Sequence, residues 1–217
     1  MEILPSIISG DILNFEKTIK TLESHCDGFH IDVMDDHFVP NLTFGPMFVN
    51  AFIKATNRPM HIHLMVEEPD SWLDRIEPRK NDIFIFHYES MEEDEIWDLI
   101  KDARSLGCEV GLAFNPSTGA ENIAAFLKQL DHVLVMSVEP GFSGQKFIDS
   151  VLDKVGFLIN EREKNNLKFK IGMDGGISLE NIKKIKDLGV DQVGVASSIF
   201  SDGDPVNNLK NLYSKCS

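Results

Sequence analysis

The chain alternates short, almost purely apolar runs with longer stretches in which apolar positions recur at three- and four-residue spacing. The runs fall at Glu2–Ser9, Asp27–Met34, Pro59–Val66, Asp82–His87, Cys108–Phe114, His132–Val138, Lys168–Asp174 and Val190–Ala196. An apolar run without polar alternation is a strand buried on both faces. Helical spacing occupies Ile12–Ser24, Pro46–Ala55, Pro69–Ile76, Glu92–Leu106, Ala120–Leu130, Ile148–Lys164, Leu179–Leu188 and Pro205–Tyr213. Gly107 and Gly189 stand just past helix ends, and Asp11 and Ser178 stand where N-caps are expected. The acidic run Glu89–Glu95 is expected to open a solvated helix, where negative charge suits the dipole. Eight alternations predict an α/β protein, a single (β/α)8 TIM barrel over residues 1–217. An open doubly wound sheet is the alternative, but no GxGxxG follows the first strand.

In such a barrel, chemistry sits at the C-terminal ends of the strands. Successive side chains of a strand alternate faces, so His30, Asp32 and Met34 share a side in FHIDVMDDHFVPNLTFGP, Phe29–Pro46. Strand three repeats the pattern with His61, His63 and Met65. The first strand ends near Ser6 and Ser9, the sixth at Met136, the seventh at Asp174 and the eighth at Ala196 and Ser197. Two histidines and two aspartates thus converge on one mouth. His30, Asp32, His63 and Asp174 make an N2O2 set that suits a divalent metal such as Zn2+, Fe2+ or Mn2+. Any one of these histidines is equally explained as a hydrogen-bonded core residue, and it is their joint placement that favours a metal. His61 lies one layer deeper and reads as structural or as a support behind the ligands. His25, His37, His87 and His132 receive no role.

Two carboxylates across a pocket can take a proton from one face of a carbon and return one to the other, provided one is ionised and the other protonated. Asp32 and Asp174 are the pair placed for this, although both could merely coordinate metal. Met34, Met65 and Met136 recur at strand ends, where they either cap a reacting carbon with proton-free surface or simply pack. The loops PGFSG (Pro140–Gly144), DGGI (Asp174–Ile177) and ASS (Ala196–Ser198) follow strands six to eight, where barrels commonly bind phosphate through backbone N–H groups. Each glycine alone is equally explained by a tight turn.

Composition narrows the partners. A chain of 217 residues, 42% hydrophobic, suits one domain with a sizeable core. A net charge of −14 argues against nucleic acid or an anionic membrane, since phosphate-backbone affinity needs clustered Lys and Arg. A small anion held by backbone amides remains compatible with it. Cys26, Cys108 and Cys216 are odd in number, far apart and without a CxxC pair, so a reducing cytosol fits best. No basic leader or long apolar segment is seen, which leads to the expectation of a soluble, cytoplasmic protein.

These residues resemble the ribulose-phosphate 3-epimerase family from Ile3 through Ser197. The likeness is carried by LPSIIS at the start, FHIDVMDDHFVPNLTFGP, HLMV at His63–Val66, GLAFNP at Gly111–Pro116, VMSVEPGFSGQKF at Val135–Phe147 and MDGGI at Met173–Ile177. The resemblance implies a (β/α)8 barrel, a divalent metal per chain (Zn2+, Fe2+, Mn2+ or Co2+), and two aspartates that invert C3 of a ketopentose 5-phosphate through an enediolate. By motif, His30, Asp32, His63 and Asp174 are the implied ligands, Asp32 the proton acceptor and Asp174 the donor. Ser6 and His63 are the implied sugar contacts. Gly141, Phe142, Ser143, Gly144, Gly175, Gly176, Ala196 and Ser197 match phosphate-binding positions. A homo-oligomer is implied as well.

Four positions depart from the family pattern. Asp36 and Ala196 each stand where Gly is usual, Ser143 replaces Gly, and His61 stands where Asp is common. The expected reaction therefore interconverts ribulose 5-phosphate and xylulose 5-phosphate, with 3-epimerisation of another ketose phosphate such as allulose 6-phosphate as the alternative. A barrel that binds phosphosugar or metal without turnover is a third reading, against which intact Asp32 and Asp174 speak. A Schiff-base aldolase would need a lysine at a strand end, and a decarboxylase of the orotidine-phosphate type a DxKxxD array; neither is present.

Overall fold

A computed structural model describes residues 1–216. Eight parallel strands, β1 (Glu2–Pro5), β2 (Phe29–Met34), β3 (Met60–Met65), β4 (Ile83–His87), β5 (Glu109–Phe114), β6 (His132–Met136), β7 (Lys170–Asp174) and β8 (Gln192–Val195), pair in the order β1-β8-β7-β6-β5-β4-β3-β2. A parallel bridge between Ser6 and His30 joins the two ends of this sheet, at the level of the first site residue. Parallel strands need crossovers, and α1 (Phe15–Leu22), α2 (Pro46–Ala55), α3 (Asp70–Leu73), α4 (Glu93–Ser105), α5 (Leu152–Lys164), α6 (Ile182–Leu188), α7 (Ser197–Phe200) and α8 (Pro205–Cys216) lie between or after them. This is the expected (β/α)8 barrel.

Both strand faces are dry for different reasons. Ile31, Val33, Ile62, Leu64, Phe84 and Phe86 point outward into the layer shared with the helices. The alternate positions Ile83, Ile85, Ala113, Leu134 and Met136 form a separate cluster inside the barrel. Burying each such large side chain contributes about 1.5–3 kcal/mol. On β2 and β3 the inward positions carry histidine and aspartate instead, and the core beside them is what removes these groups from water. Among the described residues no helix is long and apolar enough to cross a membrane.

Several local expectations are corrected. Ala120–Leu130 forms two 3-10 turns, Ala120–Ile123 and Leu127–Gln129, with bonds such as Phe126 N–H to the Ile123 carbonyl. Its apolar residues Ile123, Phe126, Leu127 and Leu130 are nevertheless all buried. The spacing reported a buried face correctly, but i, i+3 contacts serve a 3-10 turn as well as an α-helix. The segment at 69–76 keeps only α3. Asp11 and Ser178 are not caps: the helices begin after Asn14 and Asn181, and the two residues organise the preceding turns, where Asp11 accepts the Leu13 N–H and Ser178 the Glu180 N–H. Gly107 and Gly189 hold as helix stops, both with positive φ.

Candidate metal and acid/base centre

Strand register assembles the site. Asp32 and His63 are direct partners across β2 and β3, as are Met34 and Met65, while Met136 pairs with Asp174 across β6 and β7. Inward stripes spaced by two residues therefore meet side by side. Asp32 Oδ1 lies 3.1 Å from both His30 Nε2 and His63 Nδ1, and those two nitrogens are 3.2 Å apart. Asp174 Oδ2 stands farther out, 3.8 Å from His30 Nε2 and 3.9 Å from His63 Nδ1. All four ligand atoms fall within 4.8 Å of one another.

This donor set fits a cation. At metal–nitrogen distances of about 2.0–2.1 Å a tetrahedral site has ligand–ligand edges of about 3.3 Å, close to the three shortest separations. Two imidazole nitrogens and a carboxylate oxygen crowd into one space, each able to offer a lone pair to a cation, and a single positive charge among them answers all three. The histidines are fully buried, so water does not relieve the crowding.

Electrostatics separates the two aspartates. Burial would raise the Asp32 carboxyl, but His30 and His63 outweigh it and hold Asp32 well below the usual carboxylate range. Ser6 Oγ–H adds a donor to Asp32 Oδ2 at 2.5 Å. Burial pushes the Asp174 carboxyl up to about 7, opposed by His30 and reinforced by the negative charge of Asp32. Burial weakens the His30 base too, yet Asp32 and Asp174 overcome it and push His30 up to about 9. His63, dominated by burial, is pushed down to about 3. The two carboxyls thus differ in proton affinity although they share one cluster.

The same cavity that is lined by Asp32 and Asp174 is lined by Met34, Met65 and Met136 and by the loop residues that match phosphate-binding positions: Gly141, Phe142, Ser143, Gly144, Gly175, Gly176, Ala196 and Ser197. Ser6, His30 and His63 lie behind Asp32, fully buried and outside this lining. The DGGI glycines are required by space: a Cβ on Gly175 would stand 2.4 Å from a Val138 methyl, and one on Gly176 2.6 Å from the Phe147 nitrogen. Asn41 Nδ2 donates to the Gly141 carbonyl at 2.7 Å, tying the loop after β2 to the loop after β6.

The departures from the family pattern sit differently in the backbone. Asp36 has φ 61°, the left-handed conformation that glycine adopts freely and Asp tolerates better than most. Ala196 has φ −102°, so its side chain meets no left-handed strain. His61 packs edge-on against His132 beneath the site, with ring centroids 5.1 Å apart, as its deeper position implies.

Three residues were not singled out. His87 Nε2 lies 2.8 Å from His63 Nε2, and His87 Nδ1 lies 3.3 Å from Glu89 Oε2. Glu89 therefore does not belong to the solvated helix start. Glu92 and Glu95 do, forming a reciprocal capping box on α4. The available signal was the i, i+2 spacing of His87 and Glu89 at a strand end. The third is Gly194, beside Asp174 on β8, whose role shows only in three dimensions.

The sequence profile of the Ribulose-phosphate 3 epimerase family matches residues 2–200. A Schizosaccharomyces pombe protein named ribulose-phosphate 3-epimerase is 37% identical over 221 residues, covering 99% of this chain and 94% of its own. The Escherichia coli protein of the same name is 37% identical over 205 residues, covering 93% and 90%. Among solved structures, 3-hexulose-6-phosphate synthase from Salmonella typhimurium superimposes with a TM-score of 0.68 at 18% identity, covering 100% of this chain and 98% of that one, a likeness of fold alone.

Proposed function

The chain belongs to the ribulose-phosphate 3-epimerase family and is an isomerase of the epimerase class, and from that premise we propose how its residues invert C3 of a ketose phosphate, with ribulose 5-phosphate and xylulose 5-phosphate as the pair. The observation that carries this reading is that Asp32 and Asp174 line one cavity, their ligand atoms within 4.8 Å of each other and of those of His30 and His63, in surroundings that lower one carboxyl and raise the other. Near neutral pH, Asp32 is ionised and accepts the C3 proton from one face. Asp174 retains a proton and delivers it to the other face of the resulting enediolate. In the return direction the two exchange tasks, as microscopic reversibility demands.

His30, Asp32, His63 and Asp174 would hold one divalent ion per chain, of the Zn2+, Fe2+, Mn2+ or Co2+ type, which would supply Lewis acidity for the negative charge that develops on the substrate. Ser6 keeps Asp32 oriented through its short hydrogen bond. Met34, Met65 and Met136 wall the reacting carbon with groups that carry no exchangeable proton. The backbone around Gly141–Gly144, Gly175, Gly176, Ala196 and Ser197 takes the phosphate, which lets a chain of net charge −14 bind an anion without a basic patch. The same net charge speaks against nucleic acid. Buried, unpaired Cys26, Cys108 and Cys216 suit the cytoplasm. Exposed Ile12, Leu13, Leu42 and Met47, on neighbouring connections after β1 and β2, support self-association into a homo-oligomer.

Incubation of metal-loaded protein in D2O with ribulose 5-phosphate, xylulose 5-phosphate or allulose 6-phosphate tests the reading by deuterium incorporation at C3. Exchange is expected fastest with the pentuloses. Faster exchange with allulose 6-phosphate would move the assignment to the hexulose, and no exchange with any of them would sink it.

A further inference from the structure

His63 is buried completely, and both of its ring nitrogens are engaged: Nδ1 faces His30 and Asp32, and Nε2 faces His87. The proton positions along this row follow from its outer end. Glu89 Oε1 accepts the Asn115 N–H at 2.7 Å and the Thr118 hydroxyl, and Oε2 is left for His87 Nδ1. A carboxylate that takes donors on both oxygens is acceptor only, so His87 Nδ1 must carry a proton. In its Nδ1–H imidazole form, His87 offers the Nε2 lone pair toward His63. The nitrogen 2.8 Å away, His63 Nε2, is then the donor, which leaves the lone pair of His63 on Nδ1, and His30 Nε2, 3.1 Å from Asp32 Oδ1 and 3.2 Å from His63 Nδ1, is placed to donate to both.

The anchor of this row is held firmly. Asn115, Pro116 and Thr118 belong to the turn after β5, and Lys154 Nζ on α5 donates to the carbonyls of all three at 3.1, 2.6 and 2.6 Å. Glu89 is thus fixed by a loop that a second element pins in place. His30 has no such backing, since its Nδ1 is buried without a partner among the described residues. The two histidines of the cluster differ in this way.

We propose that His87, backed by Glu89, is a positioning residue for the metal site: the pair holds His63 as the Nε2–H tautomer and so presents Nδ1 to a divalent cation before it arrives. A partner on the far nitrogen of a ligating histidine orients the ring and raises its basicity, and losing it typically costs about 10–100-fold in metal affinity. The inference rests on the metal reading above.

The test measures Zn2+ affinity of chelator-stripped protein by competition with a chromophoric chelator, in wild type, His87→Phe and Glu89→Gln. Imidazole 15N shifts of the stripped wild-type protein report the His63 tautomer independently. His87→Phe is expected to bind Zn2+ roughly 10–100-fold more weakly, Glu89→Gln to lose less, and the wild-type spectrum to place the His63 proton on Nε2. Affinity unchanged in both variants, or a proton found on Nδ1, overturns the positioning role while leaving the metal site standing. A wild-type protein that takes up no divalent ion removes the metal reading itself and this inference with it. Should His87→Phe fail to fold, the wild-type tautomer and Glu89→Gln decide.

Discussion

Gly194 of β8 is the register partner of Asp174 of β7, and a methyl group on Gly194 would stand 2.8 Å from Asp174 Oδ1 and 3.5 Å from His30 Cγ. The absence of a side chain at one strand position is therefore what leaves room for the carboxyl on the next. Gly194→Ala is expected to displace Asp174, and a misplacement near 1 Å can cost about 10²-fold in rate. Overpacking should add a stability loss of about 1–3 kcal/mol. Steady-state rates alongside thermal melts check this; a variant with normal turnover would show that Asp174 moves without consequence.

Asp32→Asn and Asp174→Asn should each lower turnover in both directions by roughly 10²–10⁴-fold, the usual cost of a lost acid or base. Solvent-isotope exchange distinguishes them further. Under the proposed roles, Asp32→Asn should lose C3 exchange from the epimer assigned to Asp32, whereas Asp174→Asn should retain part of it, because abstraction by one carboxyl would not need the other. Equal, near-normal rates in either variant would remove that residue's role.

The metal-free protein should lose stability as pH rises from about 6.5 to 9. His30 is raised to about 9 in the folded state against an unfolded value of about 6.5. A group with a raised folded pKa contributes fully below its unfolded value, and that contribution disappears as pH climbs through the folded one. A metal held as proposed would displace the proton from His30, so affinity should rise with pH over the same interval and proton release should accompany loading. Thermal melts of stripped and loaded protein across this range give the comparison; parallel curves would refute the coupling.

Chelation should abolish turnover, and a divalent ion restored at about one per chain should recover it. Elemental analysis together with activity of the stripped and reloaded protein measures both quantities. Full activity of a metal-free preparation would contradict the four-residue site His30, Asp32, His63 and Asp174.

Much of the centre was legible because strand geometry is a short-period rule. His30, Asp32 and Met34, and likewise His61, His63 and Met65, share a face wherever their strands run, and placing those strands in a barrel brings the faces together. Helix ends at Gly107 and Gly189 were legible because a left-handed stop favours glycine. Ala120–Leu130 was not, because its buried spacing fits two backbone hydrogen-bond patterns. Glu89 was misplaced because its acidic neighbours belong to a solvated helix start, while its own carboxylate turns inward to His87, Asn115 and Thr118.

By itself, then, the sequence determined the alternation of strands and helices, the strand ends that bear acid, imidazole and thioether, and the glycine-rich loops. Those depend on local periodicity and on backbone freedom, which are properties of neighbouring residues. Only the tertiary structure decided that burial raises the Asp174 carboxyl while His30 and His63 lower that of Asp32, that Gly194 makes space for one of them, and that His87 and Glu89 stand behind His63. These are relations between strands far apart in the chain, set by burial and by distances of a few ångströms. A proton affinity belongs to an environment, and the environment exists only once the barrel has closed.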